Sequence, residues 1–190
     1  MKRIALATLL LAGPALAEKV TDPRTGLSVD PPPPYRAMII PPRPPNTVAI
    51  GVRSPADRDT GCQVAFRPTP QNERFTQAEL NATATSETWR AEAQRSLNTL
   101  YTIDHSETFR HAGIEGLMLE GMLRMREGMP ARAKDIRTLF VIMETPLGRT
   151  SAVCVGDRAD FARRRPEFIA VIRSTTPPSP ANPRPVALKP

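Results

Sequence analysis

Between Tyr101 and Val155, several segments of the sequence alternate between apolar and polar residues. Successive side chains of a strand point to opposite faces, so this pattern predicts strands. We predict a strand in YTIDHSETF, a second in the methionine-rich segment after it, and a hairpin of residues 136–144 and 149–155. Because these strands follow one another without helices between them, we expect an α+β domain with an antiparallel sheet rather than a parallel α/β fold.

The methionine-rich segment MLEGMLRMREGM allows two interpretations. A helix would align its methionines as a thioether face for Cu(I), but it would contain several glycines that each cost about 1 kcal/mol inside a helix. A strand separates Leu117, Leu119, Gly121, Leu123 and Met125 from Met118, Glu120, Met122, Arg124 and Arg126. We favour the strand and interpret the methionines as core residues.

The first half of the chain predicts further strands and a helix pair. TVAIGVR and CQVAFR alternate, with Val48, Ile50 and Val52 on one face and Cys62, Val64 and Phe66 on another. GLSVDPPP and YRAMII predict two short strands interrupted by proline, which belong at a sheet edge because proline cannot donate to the ladder.

Three helices complete the expected secondary structure. Thr76 and Glu79 have the spacing of a capping box that starts a short helix. The next segment, SETWRAEAQRSLNTL, has the helical stripe Trp89, Ala93, Leu97 and Leu100. A closing helix is predicted to begin at Pro166 and to turn Phe168, Ile169 and Ile172 towards the sheet.

The two ends of the sequence read as segments outside the domain. Residues 1–17 are typical of a secretory signal peptide, with a basic start, a short apolar run and a cleavage site after Ala17. We therefore expect a periplasmic, secreted protein with no stable membrane insertion after cleavage. We expect residues 18–23 to form a flexible N-terminus, residues 24–177 a single domain, and the proline-rich residues 178–190 a disordered tail.

The charge does not indicate nucleic-acid binding. The formal net charge of +7 falls to +5 when Lys2 and Arg3 leave with the signal peptide, and few aromatic residues accompany the basic ones. The triplet Arg163, Arg164 and Arg165 is interpreted as a solvated face, with an anionic partner or membrane surface as the alternative.

The two cysteines, Cys62 and Cys154, predict a disulfide in an oxidising compartment. In the chain-entropy model, closing a loop of this length would stabilise the fold by roughly 4 kcal/mol. A catalytic or redox pair is disfavoured because the CxxC spacing is missing.

Several strings resemble a known family. GLSVDPPPPYR, TWRAEAQRSL, IEGLMLEGMLRM and TSAVCVGDRADFARRRPEFIAVIRS are similar to the opening strand, helix, central strand, and closing strand, loop and helix of PsbP-like domains, over residues 24–177. The resemblance implies an α/β/α sandwich around an antiparallel sheet. It also implies a non-enzymatic accessory, assembly or binding protein. A plain secretory leader and a cysteine pair differ from the photosynthetic members and favour a bacterial periplasmic relative.

Chemistry-bearing residues are sparse. The two histidines are His105 and His111, and the sequence has neither a GxSxG elbow nor a phosphate-binding glycine loop. We therefore predict no enzyme and no cofactor, and a monomer that docks to a protein of the cell envelope. Two alternatives stay open: a carrier of apolar small ligands between sheet and helices, and a weak zinc or copper site of His105, Glu107, His111 and the methionines.

Overall fold

The structure is a computed structural model that describes residues 18–180, so the predicted signal peptide and residues 181–190 lie outside it. Its main sheet contains β3 (Arg36–Ile40), β4 (Val48–Arg53), β5 (Gly61–Pro68), β6 (Tyr101–His111), β7 (Ile114–Leu123), β8 (Ile136–Thr145) and β9 (Gly148–Asp157). All neighbours are antiparallel, in the order β3-β4-β5-β9-β8-β7-β6. The predicted α+β class with an antiparallel sheet is confirmed.

A second, smaller sheet joins the two ends of the domain. It consists of β1 (Val20–Thr21), β2 (Ser28–Val29) and β10 (Thr175–Thr176), with β2 in the middle. Of the two proline-interrupted strands predicted at an edge, β3 is an edge strand, whereas β2 is central and buried. Proline could not indicate this difference because the prolines follow β2 and leave its own ladder intact.

The helices are α1 (Gln77–Thr85), α2 (Glu87–Asn98) and α3 (Phe161–Arg173), and short 3-10 turns cover Pro70–Arg74 and Ala131–Asp135. The capping box is present: Thr76 caps α1, and Glu79 bonds back to the Thr76 backbone. The predicted stripe of α2 is correct for three of its residues. Leu100 is the exception, because it lies beyond the end of α2 and is exposed.

Helix α3 begins at Phe161, five residues before the predicted start. Pro166 therefore lies inside the helix, where it removes one backbone hydrogen bond. Burial of Phe161 against Phe168, with 5.8 Å between the ring centroids, stabilises the first turn. The expected apolar side of α3 is correct, since Phe168 and Ile172 are fully buried and Ile169 is partly buried.

Helices lie on both faces of the sheet, as in an α/β/α sandwich. The larger core lies between the sheet and α3 and includes the predicted faces of β4 and β5. A smaller core lies beneath α1 and α2, where Trp89, Ala93 and Leu97 pack against the buried side chains Leu117, Leu119 and Phe140.

Alternation in YTIDHSETF predicts that Tyr101, Ile103, His105, Glu107 and Phe109 share one face of β6, and the structure shows that this prediction is wrong. A β-bulge between Ile103 and His105 shifts the register with β7, so Ile103 lies opposite Gly121 while His105 lies opposite Glu120. Tyr101 and Ile103 consequently pack in the smaller core, and His105, Glu107 and Phe109 take the opposite face. A bulge adds one residue to one strand, which strict alternation does not anticipate.

Met118 to Leu123 of the methionine-rich segment belong to β7, as predicted, but the strand ends at Leu123 and does not reach Arg124, Met125 or Arg126. Met118 is buried in the larger core, whereas Met125 is exposed beyond the end of the strand. Both faces of β7 are covered, because α3 lies on one side of the strand and α1 on the other. Its alternating residues therefore do not divide into an exposed face and a buried face.

The described fold extends past both expected domain limits. Val20 and Thr21, within the segment expected to be flexible, form β1. At the other end Pro178 is buried, and the Thr145 hydroxyl donates a 2.6 Å hydrogen bond to its carbonyl oxygen. The first residue of the expected tail is therefore part of the folded structure.

Candidate docking site

One half of one sheet face is left open. Helices α1 and α2 lie over β6, β7 and β8, and no described helix covers the same face of β3, β4 and β5. A groove of about 980 Å³ lies there, which we call the open groove. Its floor is formed by Met38, Ile40, Gly51, Gln63, Val153 and Val155, and Arg36, Arg53 and Asp59 lie at its rim.

The open groove crosses the ends of four neighbouring strands, β3, β4, β5 and β9. Strands lie about 4.8 Å apart in a sheet, so the groove is about 15 Å wide across them. The floor residues alternate along their strands with residues of the larger core on the other face, and apart from Gln63 none of them is polar. Gly51 leaves space above the floor because it has no side chain. A Cβ there would lie 3.3 Å from the Ile40 side chain.

The loop between β4 and β5 forms one wall of the open groove, and the buried carboxylate of Asp57 holds it. Asp57 accepts hydrogen bonds from the Ser54 backbone (2.8 Å), the Thr60 hydroxyl (2.6 Å) and the Arg164 guanidinium (2.7 Å). Burial alone would raise the pKa of Asp57, but these hydrogen bonds outweigh it and lower the pKa to about 2.

Arg164 extends this network from α3 to the N-terminal part of the chain. It donates a 2.8 Å hydrogen bond to the Tyr35 hydroxyl, which donates in turn to Glu167 at 2.7 Å. Burial raises the pKa of Tyr35 to about 12, so the phenol stays protonated. The network thus fixes α3, Tyr35 and the wall of the groove to one another.

The arginine triplet is consequently not the solvated face that its sequence predicts. Only Arg163 is largely exposed, and it pairs with Asp160, the residue before α3. Arg164 binds Asp57, and Arg165 donates to Glu107 (2.7 Å) and Glu120 (2.6 Å) on the sheet. The sequence of the triplet alone does not show whether its guanidinium groups contact water or carboxylates of other elements.

Two arginines at the rim of the groove lack such partners. Arg36 and Arg53 are paired residues of β3 and β4 and are both exposed. Within the described structure neither has an ion pair, and the rim carboxylate Asp59 is bound by Arg132 at 2.9 Å. Like charges directly opposite each other in an antiparallel pair destabilise it, so this pair costs the free protein some stability.

The predicted histidine site divides into two separate places. His105 lies in a cluster of charged residues, 3.4 Å from Glu107. The carboxylates around it are bound by arginines, because Arg137 pairs with Asp104 at 2.6 Å and Arg165 pairs with Glu107. Hydrogen bonds from Arg137 lower the pKa of Asp104.

His111 lies at the other end of β6, roughly 20 Å away at the usual rise of a strand. Its Nε2 lies 2.9 Å from the Thr175 carbonyl oxygen, so this nitrogen carries the proton and donates. Among residues 18–180, no group of three or more His, Cys, Asp or Glu side chains is arranged to hold a metal ion.

The predicted disulfide between Cys62 and Cys154 is present in the structure, with an S–S distance of 2.03 Å. The two cysteines are paired residues of β5 and β9, in the strands that form the groove floor. Val52 and Leu139 flank them on the neighbouring strands, so the bridge lies in the larger core.

The sequence did not single out Arg36 and Arg53, because each is one arginine among many. Their significance depends on the register of β3 with β4, which pairs them directly. The alternation of YRAMII and TVAIGVR does place each arginine on the opposite face from the core residues of its strand. The register across the proline-rich connection between the strands is not readable from that pattern.

Comparison with solved structures identifies the fold. No protein-family model and no curated protein sequence matches this chain. The solution structure of cyanobacterial PsbP from Synechocystis matches with a TM-score of 0.56 at 12% identity, covering 90% of this chain and 98% of that one. The predicted resemblance is thereby confirmed at the level of fold: the chain has the PsbP-like α+β architecture.

Weaker similarities involve two other bacterial proteins. A Pseudomonas aeruginosa protein of unknown function has a TM-score of 0.42 at 12% identity and covers 79% of this chain and 90% of its own. A Bacteroides thetaiotaomicron protein has a TM-score of 0.42 at 9% identity and covers 86% of this chain and 49% of its own.

Within residues 18–180 no helix is both long and apolar enough to span a membrane.

Proposed function

We propose that this PsbP-like chain is a non-enzymatic accessory protein of the periplasm, which docks a partner protein of the cell envelope in the open groove. The observation that carries the proposal is the half-sheet that no described helix covers. In a sandwich of this kind an apolar sheet face is normally packed against another element. Here the floor residues Met38, Ile40 and Val155 face outwards instead.

The shape of the groove favours a protein partner over a small apolar ligand. Ligand pockets enclose most of the ligand surface, whereas this groove lies on a part of the sheet that no described helix covers. The other candidate for a carrier, the space between sheet and helices, is filled by fully buried side chains such as Leu117, Leu139 and Phe168.

Export of the protein is supported by the leader in residues 1–17 and by the disulfide, which suits an oxidising compartment. We expect the protein in a periplasmic fraction to have a mass that begins at Glu18. Intact-protein mass spectrometry of fractionated cells checks this. An unprocessed mass in the cytoplasmic fraction would contradict it.

The docking role is tested by photo-crosslinking in living cells. A photoreactive amino acid at Gln63, on the groove floor, should give one discrete protein adduct. The same residue at Glu92, on the exposed side of α2, serves as the matched control and should give none. Gly51→Val, which fills the floor, should abolish the Gln63 adduct. Equal labelling from Gln63 and Glu92, or no adduct from either, would refute the docking role.

A further inference from the structure

The two edges of the main sheet differ in how they meet solvent. The edge strand β6 carries a bulge at residue 104 and charged side chains such as Glu107 and Arg110, which are devices that discourage pairing with another chain. The opposite edge strand, β3, has neither a bulge nor a charged residue after Arg36. Its register with β4 is regular over all five residues.

Edge strand β3 also exposes apolar side chains. Met38 is 61% exposed and Ile39 is 54% exposed, on opposite faces of the strand. No backbone hydrogen bond joins the outer side of β3 to another segment within residues 18–180. An exposed, regular, apolar edge is a template for an added strand.

The charge beside this edge specifies what the added strand should carry. Arg36 begins β3, and Arg53 lies directly opposite it on the same face as Met38 and Ile40. Both guanidinium groups lack a described carboxylate partner. A strand added to β3 would bring one of its own side chains next to Arg36, and a carboxylate there would offset the repulsion between the two arginines.

A second copy of this chain does not fit the edge as well. Five residues span about 14 Å in a strand, whereas a stable protein interface involves about 20–30 residues on each side. Pairing two copies would also bring two further arginines to an edge that already has an excess of positive charge.

We infer that β3 is a strand-addition site for an extended partner segment with apolar side chains on the face that meets Met38 and Ile40, and with one or two carboxylates at one end, which the Arg36–Arg53 pair binds. This inference rests on the proposed docking function and names the chemistry of its partner. The apolar side chains of the segment lie on Met38 and Ile40 at the mouth of the open groove, and its backbone pairs with the outer edge of β3.

The test uses two synthetic peptides and the full mature protein. The acidic peptide is TVTVTED-amide with fluorescein on its N-terminus, and the matched control is TVTVTKK-amide with the same label. Binding is followed by fluorescence anisotropy and by amide hydrogen exchange measured with NMR. We expect the acidic peptide to bind at least tenfold more tightly than the basic one and to slow the exchange of amides in β3, with no effect on those of β6.

Charge variants assign the preference to the arginine pair. Arg36→Glu combined with Arg53→Glu should weaken binding of the acidic peptide at least tenfold and favour the basic one. Arg43→Glu combined with Arg58→Glu changes two other exposed arginines by the same charge and should alter affinity less than threefold. Far-ultraviolet circular dichroism confirms that both double variants are folded.

Three results would overturn the inference. They are no difference between the two peptides, protection outside β3, and equal effects of the two double variants. The crosslinking at Gln63 is independent of the peptides. A Gln63 adduct that persists in the Arg36→Glu, Arg53→Glu protein would keep the docking function while removing the strand-addition mode, and loss of every adduct in the parent would remove the docking function itself.

Discussion

At the scale of single residues, the fold depends on a few buried ionic contacts. Asp57 has no exposed side-chain surface, and Arg164 is 11% exposed. A buried pair contributes little relative to apolar residues of the same shape, but removing one partner leaves a charge without compensation. Asp57 therefore matters more to the groove wall than its place in an exposed loop suggests.

Asp57→Asn should lower the free energy of unfolding by roughly 3 kcal/mol, because Arg164 would lose its carboxylate partner. Asp59→Asn, two residues away, is the matched control, since its pair with Arg132 is solvent-exposed. It should leave stability close to that of the parent. Urea unfolding of the three proteins checks this, and equal loss in both variants would contradict the role given to Asp57.

Protonation of the Asp57 carboxylate should also lower the free energy of unfolding at acid pH. Its pKa is lowered from the ordinary value of 3.8 to about 2, so its contribution is complete above about pH 4 and disappears as the pH falls towards 2. The shift corresponds to about 2 kcal/mol. Urea unfolding between pH 5 and 2 should show a shallower decline for Asp57→Asn than for the parent. Parallel curves would count against it.

At the scale of elements, the β6–β7 hairpin carries local strain. Its two-residue turn consists of Ala112, with φ 49°, and Gly113, with φ 78°. Positive φ at both positions is typical of a type I′ turn, in which asparagine followed by glycine is preferred. Alanine at the first position adopts a conformation that costs an L-residue about 1–2 kcal/mol.

Ala112→Asn should therefore raise the free energy of unfolding by about 0.5–1 kcal/mol, since asparagine tolerates the left-handed region better than alanine. Gly113→Ala is the opposite control in the same turn. Its added Cβ would meet nothing within 4 Å, so any loss of stability arises from the backbone conformation alone. Thermal unfolding of both variants is the measurement, and a decrease in both would exclude this account of the turn.

The elements also show which parts of the fold are readable from sequence. The capping box of Thr76, the alternation of Val48 with Ile50, and the stripe from Trp89 to Leu97 are local signals, and each is confirmed. The bulge at Asp104 and the start of α3 at Phe161 depend on contacts with other elements. The candidate site was not predicted because Arg36 and Arg53 become a pair only through the register of two strands.

At the scale of the whole molecule, the main sheet is assembled from two consecutive antiparallel units. One consists of β3, β4 and β5, and the other of β6, β7, β8 and β9. They meet where β5 pairs with β9 over eight residue pairs, and the Cys62–Cys154 disulfide crosses that boundary. The open groove lies across the same boundary, so its floor depends on how firmly the two units are joined.

The double variant Cys62→Ala, Cys154→Ala should lose roughly 4 kcal/mol of stability relative to the oxidised parent, since the bridge closes a long loop in the unfolded chain. Urea unfolding with and without reductant is the measurement. Reductant should bring the parent to the level of the variant and leave the variant unchanged. If the unfolding midpoint of the parent does not change when reductant is added, this expectation is contradicted.

The boundary between the two units has a consequence for a cleaved chain. The backbone passes from one unit to the other once, through the segment between Pro68 and Tyr101 that carries α1 and α2. The disulfide is a second covalent crossing. A protease that cuts this segment in an oxidising compartment would thus leave two fragments held in a single molecule, and the fragments would separate only when denaturation is combined with reduction.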